Sequence, residues 1–120
     1  MLINELSKQT GISAHTIRFY EKSGLIKGKR KEGVTTNKYF HYDEETVEKL
    51  FLIRDAKSIG FTINEIAQLI EAWYNNRFSI TKKLAILDEK IDSIDEKIKQ
   101  LKAMKKMVSE FKKSVEEENC

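Results

Sequence analysis

The longest regular pattern in the chain lies in its second half, where Ile80, Leu84, Leu87, Ile91, Ile94, Ile98 and Leu101 alternate by steps of four and three residues. That spacing keeps one apolar seam along a helix and predicts a coiled coil. After Leu101 a second step of three leads to Met104, and Val108, Phe111 and Val115 resume the alternation, so the seam slips phase once. A helix from about Ser79 to Val115 is roughly 54 Å long and cannot bury its seam on a head of fewer than eighty residues. Neither Gly nor Pro follows Arg77 to let it fold back on itself, so a partner chain is expected. The heptad period does not choose between parallel and antiparallel pairing.

The first half reads as shorter pieces. Asn4 is a good N-cap for a helix that carries Leu6 and ends at Gly11, a residue that tolerates the left-handed conformation. Ser13 offers the next cap, Ile17 with Tyr20 or Glu21 follows at helical spacing, and Gly24 closes the segment. Two brief helices joined across Thr10-Gly11-Ile12 make a helix-turn-helix layout. Between Leu25 and Tyr42, Gly28 and Gly33 interrupt a stretch whose Val34-Thr35-Thr36 and Tyr39-Phe40-His41-Tyr42 favour extended chain, which predicts a β-hairpin wing. Asp43 then caps a helix carrying Val47, Leu50 and Ile53 or Arg54 that stops at Gly60. Thr62-Ile63-Asn64-Glu65 has the form of a capping box and opens a fourth helix, about residues 63–75.

The fold class expected is therefore mainly α: a winged helix-turn-helix head over residues 1–76, then a long coiled-coil dimerisation helix and short tail over 77–120. A composition of 34% charged and 40% hydrophobic residues without proline agrees with an ordered, strongly helical chain. The first residues lack a basic stretch followed by an apolar core, and no apolar run approaches the ~20 residues that cross a bilayer. A cytoplasmic location without membrane contact is expected. Cys120 is the single cysteine, so neither an internal disulfide nor a four-ligand zinc site is expected, and no metal or other cofactor is assigned. His15 and His41 are the only histidines and the carboxylates are spread over helix faces, which gives no catalytic constellation and argues against an enzyme.

Charge adds a partner. Residues 1–42 hold eight Lys or Arg against three acids, whereas residues 43–78 hold four against seven. A basic N-terminal third suits a polyanion, and the helix-turn-helix beside it points to double-stranded DNA. On the second helix Ser13, His15, Thr16, Arg18 and Tyr20 are expected to face outward, with Ile12, Ile17 and Phe19 as packing surface. Arg18 is the strongest candidate because its planar guanidinium donates two hydrogen bonds to guanine or to phosphate, a surface ion pair with Glu21 or Glu5 being its alternative role. Thr16 and Tyr20 carry hydroxyls suited to phosphate oxygens, a place in the core being the alternative role of Tyr20. Lys27, Lys29, Arg30, Lys31 and Lys38 on the wing would lie along the duplex backbone, where each charge releases counterions.

Several separated motifs then resemble one family. Ile3-Asn4-Glu5-Leu6-Ser7-Lys8-Gln9-Thr10-Gly11-Ile12-Ser13, Thr16-Ile17-Arg18-Phe19-Tyr20-Glu21 and Gly24-Leu25-Ile26 look like the N-terminal signature of the MerR family of transcriptional regulators. Arg30, Asn37, Tyr39, Tyr42, Asp43, Ile53-Arg54, Ile59-Gly60-Phe61 and Glu65-Ile66 follow in the family's order, so the resemblance covers roughly residues 2–75. It implies a homodimer joined by an antiparallel coiled coil through Ile80, Leu84, Leu87, Ile91, Ile94, Ile98, Leu101, Met104, Val108 and Phe111. Each recognition helix would enter a major groove. The wings, with Tyr39, and Lys57 near Ser58 and Gly60-Phe61, would hold the backbone. Members typically bend and untwist promoter DNA, which links them to RNA polymerase indirectly.

The chain departs from the family pattern in its hairpin. Gly28 stands where a proline is usual, Glu32-Gly33-Val34-Thr35-Thr36 lengthen the hairpin, and Lys38 and Phe40 replace the glycine and arginine of Gly-Tyr-Arg. Thiolate-sensing branches place several cysteines at both ends of the dimerisation helix, where this chain has Phe78, Ser79 and Ile80 at the start and Cys120 at the end. A small member without a C-terminal effector domain is expected. Trp73, Tyr74 and Phe78 read as hinge packing rather than as a ligand pocket. The function expected is a sequence-specific DNA-binding transcriptional regulator, with a DNA-bending excision or partition factor and a coiled-coil adaptor without a DNA role as alternatives.

Overall fold

The computed structural model describes residues 1–30 and 40–119. They fall into two compact units, Met1–Arg77 and Phe78–Cys120. In the first, helix α1 (Ile3–Thr10) is followed by α2 (Ala14–Lys22), strands β1 (Lys29–Arg30) and β2 (Phe40–His41), then α3 (Glu44–Ser58) and α4 (Ile63–Ile70). The second unit is a single helix, α5 (Ile80–Glu118), of 39 residues.

Local chemistry sets most of these boundaries. Gly11 adopts φ 75° and its N–H donates to the Ser7 carbonyl at 2.9 Å, which ends α1. Ser13, Asp43, Thr62 and Ser79 each accept a backbone N–H three residues on, so the four later α-helices all begin on a side-chain cap. At Thr62 the box is complete, because the Glu65 carboxylate also accepts the Thr62 N–H at 2.8 Å.

One expected cap is corrected. Asn4 lies inside α1, whose N-cap is Leu2 with no side-chain bond. The reason is tertiary: the Met1 N and O atoms pair with the Tyr42 O and N at 2.8 and 2.7 Å, holding Met1 alongside the strand end, so the helix starts directly after it.

The fourth helix is also only partly as expected. After Ile70 the backbone widens into a π-helical turn, Glu71–Asn75, closed by the Asn76 N–H donating to the Glu71 carbonyl at 2.8 Å. The Glu71 carboxylate accepts from the side-chain amides of both Asn75 and Asn76, and Arg77 then takes φ 47°, ending the run.

The head's core contains Leu6, Ile17, Leu50, Ile53 and Ile66, all fully buried, with α1 packed on α2 and α3 and α3 packed on α4. Tyr20, Leu25, Ile26, Tyr42, Val47, Phe61, Leu69 and Ile70 are buried with them. The two strands pair antiparallel, Lys29 opposite His41 and Arg30 opposite Phe40, which forms the base of the expected hairpin. Lys31, Lys38 and Tyr39, the hairpin insertion and Cys120 lie outside the described residues.

Along α5 the seam residues Ile80, Leu84, Leu87, Ile91, Ile94, Ile98, Leu101, Met104, Val108 and Phe111 are between 37% and 76% exposed in the single chain. With about half of each side chain in water and roughly 1.5–3 kcal/mol for complete burial of one, the seam's burial on a partner is comparable to a domain's usual stability of about 5–15 kcal/mol. No helix among the described residues is long and apolar enough to cross a membrane.

Candidate nucleic-acid interface

Helix α2 turns two faces in opposite directions. Ile17 and Tyr20 are buried, and His15, Arg18, Phe19 and Lys22 are exposed. The exposed four stand at i, i+3, i+4 and i+7, which is one continuous helical face. This corrects the assignment of the two adjacent aromatics: Tyr20, expected outside, is 8% exposed and belongs to the core, while Phe19, expected to pack, is 51% exposed. Phe19 and Lys22 therefore join the candidate face, and their spacing from His15 is the signal in the sequence that marks them.

At the start of α2 the Ser13 hydroxyl donates to Thr16 Oγ1 at 2.9 Å and accepts the Thr16 N–H at 3.1 Å. Ser13 is exposed and Thr16 half-buried, so both stay at the surface while their hydroxyls order the first turn. Arg18 is exposed and makes no ion pair among the described residues, neither to Glu5 nor to Glu21. Its guanidinium is thereby available to a ligand.

Glu21 has other partners. Its Oε1 accepts the Tyr42 hydroxyl at 2.7 Å and its Oε2 accepts the Gly28 N–H at 3.0 Å. One carboxylate at the end of α2 thus holds both legs of the hairpin, Gly28 just before β1 and Tyr42 just after β2. Gly28 is buried, and a Cβ there would come within 2.9 Å of Tyr42 Cε1 and 3.1 Å of Phe40 Cβ. The family's usual proline would also lack the N–H that Glu21 accepts.

Burial, then the hydrogen bond to Glu21 and its negative charge push the Tyr42 phenol well above its ordinary range, with Arg18 acting weakly the other way. Asp43 shifts in the opposite sense. The Thr46 N–H that it accepts at 2.9 Å favours its carboxylate and, with the Thr46 hydroxyl and the charges of Lys29 and Lys49, holds it below the usual range against some desolvation.

Cations flank this arrangement. Lys27 is exposed between α2 and β1, and Lys29 is exposed on β1, 3.8 Å from Asp43 across an exposed pair worth little in water. Arg30 is placed in β1 by its backbone pairing. Lys57 is exposed in the last turn of α3, just before Gly60 at φ 91°. Tyr74 lies under Lys49 and Phe78 under Lys82, with the cations 5.7 and 5.4 Å from the ring centroids. Among the described residues no group of three or more His, Cys, Asp or Glu is placed to hold a metal ion.

Comparison with known proteins accords with this geometry. A family model described as MerR HTH family regulatory protein matches residues 1–73, and a second, described as MerR, DNA binding, matches residues 47–111. The HTH-type transcriptional regulator CueR of Yersinia pestis is 35% identical over 88 residues, 72% of this chain and 61% of that protein. The mercuric resistance operon regulatory protein of Bacillus cereus is 38% identical over 68 residues, 57% of this chain and 49% of that protein. The chain thus spans about half to three fifths of the curated relatives it matches. Among solved structures, the transcription regulator PbrR691 from Ralstonia metallidurans, crystallised with lead(II), superposes with a TM-score of 0.78 at 27% identity, covering 92% of this chain and 83% of that one. With a match that runs from the first helix through α4, the chain belongs to the MerR HTH family of regulatory proteins.

Proposed function

We propose that the chain is a sequence-specific DNA-binding transcriptional regulator that grips promoter DNA as a homodimer and distorts it. The observation that carries this reading is the outward face of α2, where Arg18 stands exposed between His15, Phe19 and Lys22 while the opposite face is sealed into the core. α2 enters the major groove with Arg18 reading a base edge or phosphate, and Ser13, His15 and Thr16 sit at its leading end. Lys27, Arg30, Lys31, Lys38 and Tyr39 of the hairpin and Lys57, just before Gly60-Phe61, hold the phosphate backbone. RNA polymerase responds to the change in DNA shape rather than to a docked surface, and the protein works in the cytoplasm beside its DNA.

The exposed seam of α5 supports self-association, and charge favours an antiparallel coil. Residues 88–96 carry five acids and one lysine, whereas residues 97–113 carry seven lysines and one acid. Antiparallel pairing centred near Ile98 lays each acidic block on the partner's basic block. Parallel pairing sets like against like.

Arg18→Ala tests the assignment. Specific DNA binding is expected to weaken by about 1–3 kcal/mol while the dimer stays intact. Unchanged binding would remove α2 as the recognition helix.

A further inference from the structure

We propose that Glu21 is a positioning residue that locks the hairpin to the recognition helix, so that helix and wing meet the duplex at one fixed separation. The inference rests on the DNA-binding reading above and adds the part that makes the two elements act together.

The geometry is specific to that task. Glu21 lies in the last turn of α2, one helical turn beyond Arg18, where an ion pair with Arg18 is its simplest alternative. Instead both carboxylate oxygens are used on the hairpin, one on each leg, at 2.7 and 3.0 Å. The Tyr42 leg is anchored a second time by its backbone bonds to Met1, and its ring is buried. The Gly28 leg comes close enough to that ring that no Cβ fits between them. A single side chain therefore closes a loop running from residue 21 to residue 42, bound at a point near each end of the hairpin. With both Glu21 oxygens used there, no ion pair joins it to Arg18, three residues earlier on α2, among the described residues.

Lys27 and Lys29, on either side of the Gly28 anchor, then add their phosphate contacts without the entropy of ordering a loose hairpin base on the DNA. Each phosphate contact contributes about 0.9 to the slope of log affinity against log salt. Releasing the wing should flatten that slope while leaving base preference, set by α2, in place.

The test uses the full chain with Glu21→Ala, the milder Tyr42→Phe, and the double variant, each first checked for cooperative melting and for dimer formation. Amide hydrogen exchange is measured without DNA, and affinity against salt is measured on the wild-type protein's selected duplex. The expected result is faster exchange at the Gly28 amide in Glu21→Ala, affinity about tenfold lower with a flatter salt slope and unchanged base preference, and no further loss in the double variant. Tyr42→Phe should shift the same way by less. Unchanged Gly28 exchange in Glu21→Ala, a wild-type salt slope, or losses that add in the double variant would overturn the proposal. If the wild-type protein selects no duplex, the DNA-binding reading fails, and Gly28 exchange still decides whether Glu21 holds the hairpin.

Discussion

The Tyr42 hydroxyl donates to Glu21 Oε1 across 2.7 Å, joining the last turn of α2 to the residue that follows β2. The bond has a pH signature. A phenol whose folded pKa lies above the unfolded value of about 10 contributes its full stability below that value and loses it as pH rises beyond it. Tyr42→Phe should therefore cost about 1 kcal/mol at neutral pH, the usual net worth of one hydrogen bond, with the difference from wild type shrinking in urea melts above about pH 10. A difference that grows with alkali would contradict the assignment.

Asp43 predicts the opposite window. Its carboxylate is held below the ordinary range, so its stabilisation is present above that range and fades as pH falls through the depressed value. Asp43→Ala should cost about 1 kcal/mol at pH 7, as lost N-caps do, and the part of that cost owed to the carboxylate's charge should fade in strong acid. Asp43→Asn should keep most of the capping and lose the acid dependence. Denaturant melts of the three proteins from pH 2 to 7 check both statements.

Phe19 and Tyr20 make a paired test of the two faces of α2. Phe19→Ala should leave stability within about 0.5 kcal/mol and weaken DNA binding, because its ring is half exposed on the outward face. Tyr20→Ala should cost about 3 kcal/mol or more, as truncation of a buried aromatic does. Thermal melting beside a binding assay separates them, and reversed roles would restore the assignment made from sequence.

Those two residues also show where the sequence stops being legible. Caps are local, and Ser13, Asp43, Thr62 with Glu65, and Ser79 could be read from a few neighbouring residues. The seam of α5 was equally plain because it repeats over its whole length. Phe19 and Tyr20, however, are both aromatic and stand 100° apart on a short helix, and only the position of α1 decides which one is covered. Asn4 misled because the pairing of Met1 with Tyr42 spans 41 residues and overrides a good local cap. The π turn after Ile70 and the double use of Glu21 depend in the same way on contacts that the local pattern does not encode.

Cys120, the only thiol, reports the direction of the coil. Antiparallel pairing centred near Ile98 puts the two Glu118 helix ends roughly 60 Å apart at ~1.5 Å per residue, whereas parallel pairing puts them together. Spin labels on Cys120 should give a long distance in the dimer, and mild oxidation should yield no disulfide-linked dimer. A short distance with ready cross-linking would establish the parallel coil.

The central claim is that two copies of this chain read DNA together, and the most direct measurement is selection of bound duplexes from a random pool by the purified protein, followed by affinity against salt. The account predicts enrichment of an inverted repeat, bound with steep salt dependence by a dimer. No enriched sequence together with salt-insensitive binding would contradict it.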